Sequence, residues 1–266
     1  MVRWQDVRRQ AGPLSALTVL VLAAVGIATA GPAAGETRAE QTRLIDCPTA
    51  GLVDRGQFAL GMRLWGDGGL LARVDAGILT RLNIGVSYGG SRIVGNDAID
   101  WYPLLEACAR YRAVQESRAL PALVVGYETQ GYGQYAAKRY QIKARGLFLS
   151  VSKNYLHPLG QIGFHGGASL GREDADGDSD PTFWTGIDAT INDELTVVGE
   201  YDLGLNDDAL PSLGQGKGYL NAGISWAVAP DLVVSAYLKD LLSNTDPRVS
   251  SDISRELSVT YSEAFR

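Results

Sequence analysis

From about residue 56 onward the chain alternates with a period of two almost everywhere. Phe58, Leu60, Met62 and Leu64 form one apolar set; Leu70, Ala72, Val74, Ala76 and Ile78 form the next, followed by Leu82, Ile84, Val86 and Tyr88. The pattern returns at Ile162–Leu170, Leu195–Leu205, Leu220–Trp226, Leu232–Leu238 and Leu257–Tyr261. That spacing puts apolar side chains on one face of a strand and the rest on the other. The opposite parity is polar, small or charged: Asn83, Gly85 and Ser87; Gly163, His165, Gly167 and Ser169; Glu200 and Asp202. A β-sandwich turns its apolar face inward, whereas a membrane barrel turns it outward to lipid. Alternation alone fits both.

Connection lengths separate the two. Strands are expected near 57–64, 70–79, 82–89, 105–114, 121–128, 142–152, 160–170, 182–190, 195–205, 218–227, 232–240 and 254–265. Thr80-Arg81, the turn around Asn192 and Glu194, and Ala229-Pro230-Asp231 are tight. Gly90–Leu104, Thr129–Gln141, Gly171–Pro181, Asn206–Lys217 and Leu241–Ile253 are longer and polar; the short Trp65–Gly69 link departs from the rule. Tight turns at one end and long loops at the other mark outer-membrane barrels, and strands of about nine to eleven residues suit a tilted crossing. The expected fold is all-β: an antiparallel up-and-down transmembrane β-barrel of about 12 strands. Leu104–Val114 also reads as an amphipathic helix by propensity. Trp65, Tyr88, Trp101, Tyr127, Tyr155, Trp184 and Tyr219, near strand ends, are candidates for interfacial girdles.

Before the alternation begins, Arg3, Arg8 and Arg9 precede the apolar run Leu14–Ala30, and small residues lead to Glu36. This three-part pattern predicts a signal peptide over residues 1–35; a single membrane anchor is the competing reading. A periplasmic N-terminal segment, 36–55, and an outer-membrane barrel, 56–266, follow. Leu257, Val259, Tyr261 and Phe265 resemble the terminal strand that barrel assembly machinery reads, although Glu263 breaks the parity and Arg266 follows the Phe. Outer-membrane lipid and that machinery are thus the expected partners, and export to an outer membrane the expected localisation.

Net charge is −6 with no basic block, which argues against nucleic acid. Two cysteines, Cys47 and Cys108, exclude a disulfide framework; two free thiols are favoured over one bridge. The run Glu173–Asp180 offers Asp174, Asp176, Asp178 and Asp180 as hard oxygen ligands, a possible Ca²⁺ site. It is not an EF-hand, because Ser179 stands where Gly is required; no other cofactor is expected. The inward parity supplies a lumen of Arg63, Arg73, Asp75, Glu106, Arg110, Arg112, Glu200 and Asp202, with Lys239 and Glu256. Arg110 and Arg112 are expected to pair with Glu106 and Glu200, or else to face an anionic solute. A mostly filled or narrow lumen is favoured. Gly85–Gly89 and Gly167–Gly171 match Gly-x-Ser-x-Gly only within alternating strands and not at a strand-to-helix elbow, and His165 stands alone as a base on the inward face, so no enzyme is expected.

The stretch Leu44-Ile45-Asp46-Cys47-Pro48-Thr49-Ala50-Gly51, then a strand with Gly56, Phe58, Leu60 and Gly61, resembles the opening of the YjbH-like proteins. Cys47 stands where that family commonly has Thr, and Arg43 where it has Gly. The resemblance implies an outer-membrane barrel with a role in exopolysaccharide biology and polysaccharide or envelope proteins as partners. It implies no catalytic residue, and a chain shorter than full-length relatives, holding only the barrel portion. Passage or export, a structural or interaction barrel acting through its outer loops, and a weaker lipid-hydrolase reading all stay open.

Overall fold

The computed structural model describes residues 40–192, 194–208, 212–247 and 253–265. The expected signal peptide, residues 1–35, lies outside the described residues. The strands are β1 (Gln57–Trp65), β2 (Gly69–Leu79), β3 (Leu82–Ser91), β4 (Asp100–Trp101), β5 (Glu106–Val114), β6 (Ala122–Glu128), β7 (Tyr132–Ala136) and β8 (Arg139–Ile142). They continue with β9 (Gly146–His157), β10 (Gly160–Leu170), β11 (Thr182–Ile191), β12 (Leu195–Asp202), β13 (Tyr219–Ala229), β14 (Leu232–Lys239) and β15 (Ser254–Ala264).

Twelve of these close an antiparallel barrel. Each wall strand pairs with its neighbours in the chain, and β1 pairs with β15 to seal the wall, Gln57 facing Ala264 and Leu64 facing Leu257. Closure leaves no open edge, so every wall amide finds a partner without water. The two-residue β4 lies against the long-loop end of β3, and β7–β8 form a separate hairpin. Leu60, Val74, Ile84, Val86, Val197, Ile224 and Leu257 are exposed on the outer face. Arg63, Asp75, Asn83, Arg110, Glu200 and Asn221, on the opposite parity, are buried within. An apolar outer belt on a closed sheet with a polar interior is the architecture of an outer-membrane barrel, and that is where this chain resides.

The long loops gather at one end and the tight turns at the other. The short Trp65–Gly69 link sits at the long-loop end as a hairpin turn, Asp67 and Gly68 both having φ 61°, the backbone such a turn requires. The ambiguous segment near 104–114 is strand β5, alternating inward Glu106, Cys108, Arg110 and Arg112 with outward Ala107, Ala109 and Tyr111.

Four expectations are corrected. The expected loop 129–141 contains most of the hairpin β7–β8. Its turn, Ala137 (φ 52°) and Lys138 (φ 64°), adopts positive φ without Asn or Gly, so the usual sequence signal was missing. The strand expected at 142–152 runs from Gly146 to His157, because β8 takes Ile142. Trp184 and Tyr219 are not girdle residues: both are buried inside the barrel. Finally, the segment expected in the periplasm is, over residues 40–53, lodged in the lumen.

Candidate functional site

The lumen is occupied by a hairpin that enters and leaves at the tight-turn end. One arm, Glu40–Arg43, rises; Leu44–Cys47 turns, with Leu44 N donating to Cys47 O at 2.9 Å; Pro48–Val53 descends. Thr49 N donates to Thr42 O at 3.1 Å, and Arg43 bridges Pro48 antiparallel. The arms touch closely: a Cβ on Gly51 would lie 2.3 Å from Gln41 O. Below, Gly56 N donates to Gly77 O at 2.8 Å and the chain enters β1.

Polar groups of the wall hold the tip. Glu200 accepts the amides of Ile45 (3.0 Å), Asp46 (2.9 Å) and Cys47 (2.9 Å). The Asp46 carboxylate meets Arg63 at 2.7 Å and Lys239 at 2.8 Å, and both cations also reach Glu256. A buried charge set like this persists only when its members are paired and hydrogen-bonded. Apolar side chains fill the remaining space. Leu44 and Ile45 pack against Val198, with Gly186 leaving room for Leu44 Cδ1, 2.3 Å from where a Cβ would stand. Cys47, Ala50 and Leu52 pack with Val124, Phe148 and Trp184.

On the descending arm, Pro48 O accepts from Ser150 Oγ (3.1 Å) and Trp184 Nε1 (3.2 Å). Ala50 N donates to Ser152 Oγ at 2.8 Å, and that hydroxyl lies 2.8 Å from His165 Nδ1. His165 Nε2 lies 2.6 Å from Asp188 Oδ1. Ser152, His165 and Asp188 thus form one continuous hydrogen-bonded chain. A Ser–His–Asp relay is the layout of an activated nucleophile. Here the Ser oxygen is capped by Ala50 and only 3% exposed as a residue, so in this state it anchors the plug.

The long-loop end is closed by the β7–β8 hairpin. Tyr132 lies 4.4 Å from the Arg63 guanidinium, ring centroid to Cζ, and 5.4 Å from Lys239 Nζ; the lid thus rests on the cations that grip the plug tip. Arg139 pairs with Asp176 (2.5 Å) and Asp207 (2.6 Å), Lys143 with Asp176 (2.8 Å), and Arg145 with Asp202 (2.6 Å). Glu173 accepts Tyr140 N at 3.0 Å and Ala144 N at 2.6 Å. Burial pushes its carboxyl up to about 7, against the pull of those amides.

The inward charges are placed as follows. Arg110 donates to Thr42 O at 2.5 Å and lies 3.7 Å from Glu128, while Arg112 pairs with Glu40. Their expected partners are therefore replaced: Glu200 is taken by plug amides, and Glu106 accepts Tyr140 Oη at 3.2 Å. Arg43 and Arg73 converge on Glu128 at 2.6 and 2.5 Å, and Arg73 lies 3.1 Å from Asp75. Two of the four candidate calcium ligands, Asp176 and Asp178, come together on Ser212 Oγ at 3.2 and 3.3 Å. Asp176 is engaged by Arg139 and Lys143, Asp178 is buried against Asp208 N and Ser212, and Asp174 and Asp180 are exposed. Among the described residues no group of three or more His, Cys, Asp or Glu side chains could hold a metal ion. Both cysteines are free and buried. Sequence reasoning missed Ser152 and Asp188. Both lie on the inward parity, but only the register, Ser152 facing His165 and Asp188 facing Gly163, brings the three together.

No protein-family model and no curated protein matches the chain. Among solved structures it is similar to the KdgM porin at 11% identity, covering 77% of this chain and 98% of that one, TM-score 0.45. It is similar to the NanC porin at 8% identity, covering 78% and 98%, TM-score 0.44. It is also similar to the outer-membrane protein Omp33 of Acinetobacter baumannii at 10% identity, covering 79% and 98%, TM-score 0.45.

Proposed function

We propose that this outer-membrane barrel is a gated passage for polar solutes, closed in the present state by its own N-terminal hairpin. One observation carries the reading: the plug tip is held through charged and hydrogen-bonded contacts to the wall, and both ends of the described hairpin, Glu40 and Val53, lie toward the tight-turn end. Removing it requires no unthreading and exposes a polar lumen. Twelve strands stand between the filled eight-stranded barrels and the open porins, wide enough for a path once the hairpin leaves.

The test is conductance in planar bilayers. The unmodified chain should be nearly ion-tight, and Asp46→Ala with Glu200→Gln should give stable channels. If those variants stay ion-tight while amide exchange shows residues 44–47 released, the interaction-barrel reading, in which the outer loops do the work, replaces this one.

A finer reading joins the plug to envelope polysaccharide. The residues that resemble the YjbH-like opening, Leu44–Gly51, are the plug's tip and descending arm, so the resemblance falls on the gate itself. On this reading the transported material is exopolysaccharide, and polymer secretion in a deletion strain complemented with Asp46→Ala is the measurement. The outward-facing terminal strand, with Leu257 and Phe265 exposed, suits handover by barrel assembly machinery. The hydrolase reading would need Ser152 uncovered, and unchanged activity toward phospholipid after His165→Ala would remove it.

A further inference from the structure

A cavity of about 270 Å³ opens at the long-loop end, between the end of β6, the β7–β8 hairpin and the loop after β10. Of its lining, Glu128 also touches the plug, through Arg43. Tyr135 and Tyr140 supply aromatic walls, while Glu106, Glu173 and Asp174 supply carboxylates. Glu128 also borders it, but Arg43 and Arg73 already neutralise that group.

Two of the carboxylates make no ion pair among the described residues. Glu106 is only 8% exposed, and among the described residues it makes no ion pair; its one hydrogen bond comes from Tyr140 Oη to Oε1. Glu173 makes no ion pair there either and receives only amides; Arg139 and Lys143 act on it at longer range and are themselves paired with Asp176. Tyr140 spans the two, its backbone N–H on Glu173 and its phenol on Glu106. Lys138 and Arg172 stand at the lip, both exposed and neither in an ion pair among the described residues. The Lys138 lip is fixed by an uncommon backbone, Ala137 and Lys138 both at positive φ, a cost of the kind found at binding sites.

A buried and a half-buried carboxylate, neither in an ion pair among the described residues and both flanked by tyrosine rings, are complementary to an organic cation: the carboxylates supply charge and the rings a negative π face. The geometry points to a binding site for an organic diamine, one ammonium group at Glu106 and the other at Glu173 with Tyr135 and Tyr140 beside them. A neutral polyol would leave both carboxylates uncompensated, and an acidic ligand would add to them. The site stands whether or not the lumen conducts. The raised Glu173 titration fits the same picture, since a bound ammonium would ionise that carboxyl and release a proton near neutral pH.

The test is calorimetric titration of the full chain in detergent micelles with putrescine, with 1,4-butanediol as the uncharged match in length. Putrescine should bind saturably and release protons at pH 6.5, seen as heats that change with the buffer's ionisation enthalpy; butanediol should not bind. Glu106→Gln and Glu173→Gln should each weaken binding roughly tenfold, a loss of about 1.4 kcal/mol, and Glu173→Gln should abolish proton release. Asp180→Asn, an exposed acid in the same loop, should leave binding unchanged. Heat-modifiable gel mobility checks that each variant is folded, and a misfolded Glu106→Gln leaves Glu173→Gln to decide. Absence of saturable putrescine binding, equal binding of butanediol, or an equal loss from Asp180→Asn would overturn the proposal.

Discussion

Glu200 accepts the backbone amide of Cys47 at 2.9 Å, across 153 residues of chain. The same carboxylate takes the two preceding amides, so a wall side chain does for the plug tip what a helix cap does for a helix end. Glu200→Gln keeps the shape but removes the charge and one acceptor. Hydrogen bonds to charged groups contribute about 1.5–3 kcal/mol each. The expected result is a fall of roughly 2–3 kcal/mol in the protection of amides 45–47, read by hydrogen exchange, with the wall amides unchanged.

Asp46→Ala leaves Arg63 and Lys239 sharing Glu256 alone. Removing one partner from a buried ion set costs about 3–5 kcal/mol. The temperature at which the folded gel band disappears should drop. Adding Lys239→Met should restore part of the loss, a coupling that a double-mutant cycle measures. Strict additivity would mean that the contact has no energetic weight.

Gly51→Ala tests the seam between the two arms. Its Cβ would meet a backbone oxygen that cannot swing aside. Overpacking of this kind costs about 1–3 kcal/mol, so the hairpin should splay and conductance should rise. Gly199→Ala on the outer face, where the nearest atom is 4.0 Å away, should be silent.

Ser152 is an anchor in this state, and a fluorophosphonate probe should not label it while Ala50 covers its oxygen. Labelling of the unmodified protein at Ser152 would contradict that. His165→Phe removes the hydrogen-bond partner of Ser152 and of Asp188 together. Exchange at the Ala50 amide should then quicken severalfold.

Glu173 has a folded pKa raised to about 7 from 4.5. A carboxyl raised on folding contributes stability below its unfolded value, and that contribution is lost as pH rises through the folded value. Protection factors of the Tyr140 and Ala144 amides should therefore fall between about pH 4.5 and 7. In Glu173→Gln they should be flat across that window.

The wall was legible because lipid outside and polar lumen inside force a strict period of two; even β5, with two arginines and a glutamate, obeyed it. The inward charges were readable by parity, but their partners were not. Arg110 and Arg112 face the plug rather than Glu106 and Glu200, because the segment that fills the lumen carries no alternation. Pro48 and the irregular Asp46–Thr49 run fell in the expected periplasmic segment, since their regularity comes from wall contacts over 100 residues away. The Ser152–His165–Asp188 relay was hidden for a related reason, since strand parity is local and register is not. The β7–β8 hairpin escaped because Ala137–Lys138 carries a turn that Asn-Gly usually marks.

The grip on Asp46 has a bearing on biogenesis. Arg63 belongs to the first wall strand, Glu256 to the last and Lys239 to the one before it. The set of charges that grips Asp46 is complete only when the two ends of the sheet meet. Sheet closure and plug docking are thereby one cooperative event, and a seated hairpin certifies that the last strand has zipped to the first.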